Sequence, residues 1–193
     1  MNDHLFQSVN QLAGNYPMLD WFMAFVTQKA LFIYIALFVL MWVFGSEKRK
    51  YTVFLAGCTG LLALMINAAI GEFYYVQRPF VVHDDVHLLL PHAADASFPS
   101  DHTTGAFALS FGVFLFYRKL GAVMILFAAL TGISRIYVGH HYPLDVIGSI
   151  VAALAASAVV YKYRRYLDPI PGTLIDFYHR IPFFQKKEEK RSL

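Results

Sequence analysis

Charge is scarce in this chain: Asp, Glu, Lys and Arg make up 15% of its 193 residues, against 58% hydrophobic residues. So little charge cannot coat an ordinary soluble domain, and the composition predicts an integral membrane protein. Cysteine is nearly absent. The single Cys58 lies inside an apolar run, so it can form no internal disulfide, says nothing about redox compartment, and is expected to be small filler. The N-terminus carries Asp3 and His4 but no basic cluster, and no short apolar region with a small-residue cleavage site follows, so no removable signal peptide is expected. Internal repeats and low-complexity tracts are also missing, and no nucleic-acid partner is expected.

Long apolar runs are present instead. A membrane span needs about 20 apolar residues at about 1.5 Å each, and five stretches meet or approach that rule, at approximately 26–45, 52–71, 103–118, 120–138 and 143–161. The third is short, and the preceding Pro99-Ser100-Asp101-His102 is expected to supply its first helical turn. Leu5 to Met23 alternates apolar and polar residues around Gly14, Asn15 and Pro17, which suggests one or two short helices along the interface. The expected fold class is all-α: a polytopic membrane helix bundle of about five transmembrane helices preceded by short interfacial N-terminal helices. Residues 1–165 would form a single membrane-embedded domain and 166–193 a basic cytoplasmic tail, whose Lys186-Lys187-Glu188-Glu189-Lys190-Arg191 run suits anionic lipid headgroups.

Orientation follows from the bases. Lys48, Arg49 and Lys50 follow span one, Arg118 and Lys119 separate spans three and four, and Lys162, Arg164, Arg165, Arg180, Lys186, Lys187, Lys190 and Arg191 follow span five. If those regions are cytoplasmic, only Lys29, Arg78 and Arg135 of the 16 bases break the rule, and the N-terminus is extracytoplasmic. Residues 72–102 and 135–142 then become outer loops.

Those two loops hold the chemistry. Ser134-Arg135-Ile136-Tyr137-Val138-Gly139-His140-His141-Tyr142-Pro143-Leu144-Asp145 sets a guanidinium, an imidazole and a carboxylate between two apolar segments. A guanidinium offers a planar fork of donors to phosphate oxygens, a histidine can act as a nucleophile near neutral pH, and a carboxylate can orient it. Pro143 suits the first position of span five, which places Asp145 in that helix's first turn, within reach of His141. Alone, Asp145 would need no role beyond favouring the helix dipole, worth about 0.3–1 kcal/mol. Arg78 and the Ser100/His102 pair change that, because arginines and histidines bordering hydrocarbon are costly and mark function. Ser100 suits an N-cap for span three, whose first backbone N–H groups would bind phosphate oxygens, and His102 is placed to protonate a leaving oxygen. His140 is a further candidate phosphate ligand; with His83, His87 and His92 near Asp84, Asp85 and Asp95 it otherwise reads as solvated loop polarity, or as a gate or pH sensor. Tyr74, Tyr75, Tyr137 and Tyr142 suit interface anchoring.

The chain resembles the type 2 phosphatidic acid phosphatase superfamily, whose motifs read Lys-x6-Arg-Pro, Pro-Ser-Gly-His and Ser-Arg-x5-His-x3-Asp. Ser134, Arg135, His141 and Asp145 match the third in full; Pro99, Ser100 and His102 match the second, and Arg78 and Pro79 the first. Gly71 stands where the family has its lysine, so that charge is missing or comes from elsewhere, with Lys29 a candidate; Asp101 replaces the motif glycine and would orient Arg78 or tune His102. Within the superfamily, these departures are similar to the bacitracin-resistance type of undecaprenyl pyrophosphate phosphatase. The resemblance, over about residues 20–165, implies that His141 attacks phosphorus, Asp145 supports it, and His102 serves as acid and then base. Arg78, Arg135, Ser100 and Asp101, with His140, would form the phosphate-binding set. It implies a polyprenyl diphosphate substrate in a bacterial plasma membrane, with no metal and no cofactor. Three rivals remain: a glycerolipid phosphate phosphatase, a transport or drug-efflux component, and a catalytically dead binding protein.

Overall fold

The computed structural model describes residues 2–180. The described chain is all helical: α1 Asn2–Asn10, α2 Pro17–Phe44, α3 Glu47–Phe73, α4 Pro79–Val82, α5 Asp101–Phe114, α6 Arg118–Tyr137, α7 Pro143–Leu167 and α8 Pro169–Arg180. Pro17 and Pro143 open α2 and α7, where a missing N–H costs nothing and the fixed φ suits the first turn.

Four helices, α2, α3, α6 and α7, are long and apolar enough to cross a membrane. The fifth expected span, α5, is shorter. It has 14 residues and rises about 21 Å against a hydrocarbon core of about 30 Å, and it runs from the end that holds the α3 and α6 C-termini to its turn with α6 at the other. It is threaded through the bundle, with Thr103, Thr104, Ala106, Phe107, Ala108, Ser110, Gly112 and Val113 all buried against α3, α6 and α7. Small residues allow this. Ala56, Gly60 and Ala63 share the buried side of α3, and a Cβ at Gly112 would stand 2.6 Å from the Ala56 Cα, so only glycine permits that approach. A buried hydroxyl beside α5 is paired: Tyr34 donates to the Met124 carbonyl at 2.7 Å and lies 3.0 Å from the Ser110 hydroxyl.

The first span starts earlier than hydropathy suggested. Pro17 opens α2 and nothing breaks it before Gly45, so Met18 to Met23 form its first turns rather than a separate interfacial helix. The other expected short helix is present as α1, which lies across one end of the bundle. Its Phe6 meets the Tyr142 ring at 5.4 Å, and the buried Asn10 side chain donates to the carbonyls of Tyr137 and His87 while accepting from the His87 N–H.

The α3 and α6 C-termini and the α5 and α7 N-termini meet at that same end. The α2–α3 and α5–α6 turns and the end of α7 lie at the other, where Tyr51 donates to Asp168 at 2.6 Å and the Lys48 ammonium lies 5.5 Å from the Tyr117 ring centroid. The clusters Lys48–Lys50, Arg118–Lys119 and Lys162–Arg165 therefore sit opposite Arg78 and Arg135. In the tail, α8 buries Pro171 and Ile175, and Tyr178 donates to the Val43 carbonyl, while Ile170, Leu174 and Phe177 stay exposed. Lys186, Lys187, Lys190 and Arg191 lie outside the described residues.

Candidate active site

Helix α6 ends at Tyr137, and the following Gly139 takes φ +88°, a left-handed conformation costly for any residue with a side chain. The reversal folds the next two residues back over α6, so that the N–H groups of His140 and His141 both reach the Arg135 carbonyl. This places the His141 ring beside the Arg135 guanidinium. His141 is 2% exposed and Arg135 also 2%.

The ring is fixed at both nitrogens. Its Nδ1 lies 2.8 Å from the Ser97 carbonyl, and because a carbonyl only accepts, Nδ1 carries the hydrogen. The Nε2 lone pair therefore faces the site, where Arg78 Nη1 donates to it at 3.0 Å and Arg135 Nη2 at 3.3 Å. Burial, then Arg135 and Arg78, hold the His141 pKa well below its ordinary 6.5. The imidazole is thus kept neutral, the form a nucleophile requires.

Asp145 sits in the first turn of α7 as the sequence indicated, but it does not hold His141 directly. Its Oδ2 is 3.5 Å from Nδ1, accepts from the Tyr142 N–H at 2.8 Å, and takes the Ser97 hydroxyl at 2.5 Å. Ser97 is the residue that sequence reasoning missed. Fully buried, it orients the imidazole through its carbonyl and the carboxylate through its hydroxyl. No motif marks it, since half of its role belongs to the backbone.

Arg78 is held on three sides. Its Nε donates to Asp95 at 2.7 Å, Nη1 to the His140 carbonyl at 3.0 Å and Nη2 to the Ala96 carbonyl at 3.1 Å. The carboxylate that orients Arg78 is therefore Asp95, not Asp101. Burial raises the Asp95 pKa, but the Arg78 guanidinium outweighs this and holds it below the ordinary value. Asp101 accepts instead from Asn67 of α3 at 3.0 Å. Ser100 holds the N-cap position of α5 without a side-chain cap bond; its N–H donates to the Ser149 hydroxyl at 2.9 Å, whose one hydrogen is shared between the Asp145 carbonyl at 2.8 Å and the Ser100 carbonyl at 3.0 Å. The Ser100 hydroxyl accepts from Thr103 at 3.0 Å and keeps its own hydrogen to give. The first α5 helical bond runs from the Thr104 N–H to the Ser100 carbonyl, so the N–H groups of Asp101, His102 and Thr103 have no helical acceptor.

Other expectations are corrected. The His140 ring is 1% exposed and donates through Nε2 to the Leu90 carbonyl at 2.8 Å, leaving it no hydrogen for a phosphate; it serves through its backbone carbonyl on Arg78. Burial first, and then Arg135, push its pKa down to about 3. His92 is likewise not solvated polarity, for its Nε2 lies 3.0 Å from Arg135 Nη2. Lys29 does not replace the missing lysine: its ammonium lies over the Phe32 ring on the exposed side of α2. Tyr137 and Tyr142 are buried rather than anchors, with the Tyr137 hydroxyl donating to Asp20 at 2.7 Å, whereas Tyr74 and Tyr75 are exposed.

From the site a groove of about 790 Å³ descends between α2, α3 and α5. Asp95, Asp101 and His102 line its polar end, and Leu31, Ile35, Leu61, Leu64 and Leu109 line its apolar length. It is broad beside α3 because Gly57 and Gly71 carry no side chain, and a Cβ at either would meet nothing within 4 Å.

Comparison with known proteins places these features in context. The family described as the PAP2 superfamily matches residues 51–169, a stretch that includes every motif residue from Arg78 to Asp145. Over 181 residues the chain is 42% identical to the undecaprenyl-diphosphatase BcrC of Bacillus subtilis (strain 168), covering 94% of this chain and 93% of that one. It is 30% identical over 192 residues to a Bacillus licheniformis protein named bacitracin transport permease protein BcrC, covering 99% and 90% respectively. The crystal structure of Aquifex aeolicus LpxE shares the fold with a TM-score of 0.69 at 28% identity, over 84% of this chain and 95% of that one.

Proposed function

Because the chain belongs to the PAP2 superfamily, we propose that it is a multi-pass membrane phosphatase that hydrolyses undecaprenyl pyrophosphate to undecaprenyl phosphate and inorganic phosphate. One observation carries the mechanism: a buried, neutral His141 whose Nε2 lone pair converges with two guanidiniums, its other nitrogen locked to the Ser97 carbonyl.

Without substrate the nucleophile is capped by its own arginines. When the terminal phosphate enters, its oxygens take the Arg78 and Arg135 hydrogens, and the Nε2 lone pair is freed toward phosphorus. Attack forms the N–P bond and breaks the P–O bond to the bridging oxygen, while His102, which takes up a proton from solvent once the bound phosphate offsets the Arg135 and Arg78 charges that oppose it, gives that proton to the oxygen. The imidazolium that develops at His141 is supported by the Ser97 carbonyl and the nearby Asp145 carboxylate. Arg78, Arg135, the Ser100 hydroxyl and the free N–H groups that open α5 hold the equatorial oxygens as charge redistributes. His102, now neutral, takes a proton from water, and the hydroxide equivalent attacks phosphorus and expels His141. The two guanidiniums supply the positive charge of the site. The groove lets the polyprenyl chain remain among apolar side chains while its headgroup reaches His102.

The clusters of bases opposite the site support an orientation with the site and N-terminus extracytoplasmic, the base-rich end cytoplasmic, in a bacterial plasma membrane. A transport role would call for ionisable residues or broken helices at mid-membrane. Here the ionisable cluster lies at one end of the bundle.

The test is phosphate release by detergent-purified protein from undecaprenyl pyrophosphate, with phosphatidic acid and phosphatidylglycerol phosphate alongside, in excess chelator, against His141→Ala. Chelator-insensitive release from the polyprenyl substrate, abolished in the variant, is expected. Preference for a glycerolipid would change the substrate and keep the chemistry; release that survives His141→Ala would overturn the mechanism.

A further inference from the structure

The lysine that Gly71 replaces leaves the phosphate site short of one donor, and a residue outside all three motifs stands in the site. His92 comes from the long irregular segment between α4 and α5 and is half-buried there. Its Nδ1 lies 3.0 Å from the Ala93 carbonyl and so carries the hydrogen, leaving Nε2 as an acceptor for Arg135 Nη2 at 3.0 Å. The same Arg135 nitrogen lies 3.3 Å from His141 Nε2. Both Arg135 Nη2 hydrogens are therefore aimed at ring nitrogens, while the buried Arg135 Nε has no partner. Arg135 thus presents donors that an anion can take.

An anion that takes the Arg135 hydrogens must come up against His92 Nε2 as well as His141 Nε2. At His141 the meeting of lone pair and phosphorus is the reaction. At His92 it would set a lone pair against a phosphate oxygen, an unfavourable contact that one proton turns into a charge-assisted hydrogen bond. We propose that His92 is a substrate-binding residue whose Nε2 takes up a proton from solvent when the phosphate enters and donates it to a phosphate oxygen, filling the place of the lysine that Gly71 replaces. This rests on the phosphatase reading of the site.

The groups facing His92 agree. Arg78 and Arg135 oppose its protonation in the free site, Asp95 at 3.8 Å from Nδ1 favours it, His140 stacks edge-on at 4.5 Å, and His102 and His141 complete the surround. Burial is the largest cause of a lowered pKa in the free site, the Ala93 carbonyl pulls upward, and the two guanidiniums push further down. A bound dianion neutralises those guanidiniums and raises the pKa. Affinity should thus rise as pH falls through the bound-state pKa and level off below the free-state value.

Calorimetric titration with sulfate, a tetrahedral dianion that does not itself titrate near neutral pH, reads this directly when run in buffers of different ionisation enthalpy. Wild-type protein is expected to take up protons on binding. His92→Gln and His92→Asn should bind about 10- to 100-fold more weakly with less uptake, and His92→Lys, permanently charged, should bind without uptake and restore affinity. In turnover, the same loss should fall on KM for the polyprenyl diphosphate rather than on kcat. No proton uptake by the wild type, or His92→Gln with unchanged affinity, overturns the proposal even where a variant fails to fold. Failure of the wild type to release phosphate from any lipid, with sulfate binding as described, would instead count against the phosphatase reading alone.

Discussion

His102 and His141 are asked for opposite behaviour, and each can be tested at its own atom. If His102 protonates the bridging oxygen, His102→Gln should lower kcat on the diphosphate by about 10²- to 10⁴-fold. Steady-state kinetics should show the loss on an aryl phosphate as well, because His102 also activates the water that releases phosphate from His141, and a kcat unchanged on both substrates would take His102 out of the proton transfers. For His141 the sign of the pKa shift sets the pH dependence. Burial and the arginines hold it well below 6.5 in the free protein, so it stays neutral as pH falls past the ordinary histidine value of about 6.5. The acid limb of kcat/KM assigned to His141 is therefore expected below pH 6.5 in a pH–rate profile, and a limb above that value would contradict the neutral nucleophile. Most of these residues were legible in the sequence, because an arginine, a histidine and an aspartate at fixed spacing between apolar runs have few structural excuses. Ser97 and Asp95 were not. One acts through its carbonyl and the other sits in a segment without periodicity, so nothing in the pattern set them apart from loop polarity.

At the scale of elements, the hydropathy of α5 marked a helix through the bundle but not what surrounds it. Small apolar residues such as Gly105, Ala106, Ala108 and Gly112 are as compatible with a helix enclosed by others as with one facing lipid, and composition alone does not separate the two. Helices α3, α6 and α7 were readable because length and apolarity together demand a span. The groove between α2, α3 and α5 follows from glycines whose significance lies in what is absent beside them. Gly57→Trp should fold, since a Cβ there meets open space, but its indole would occupy the apolar length of the groove. Kinetics should show a KM raised for the long-chain diphosphate and unchanged for a short, water-soluble isoprenoid diphosphate. Equal effects on both would place the chain elsewhere.

For the whole molecule, the orientation proposed from the distribution of bases can be tested directly, and Cys58 is the sole thiol to remove first. In a Cys58→Ser background, a cysteine at exposed Asp84 should react with a membrane-impermeant maleimide on intact cells. One at Lys119, in the base-rich turn, should react only after permeabilisation. The reverse pattern would invert the protein in its membrane and move the reaction to the cytoplasmic face.

The shortness of α5 bears on what becomes of the two products. With only 14 residues, α5 sets its N-terminus among the α3 and α6 C-termini and the α7 N-terminus, where the groove between α2, α3 and α5 has its polar end. One product of the proposed reaction remains a lipid, and the apolar length of that groove would keep hold of its chain. The other is a small dianion, and the Asp95 carboxylate at the same polar end would repel it once it has formed. A side chain that orients an arginine before the reaction would thus favour departure after it.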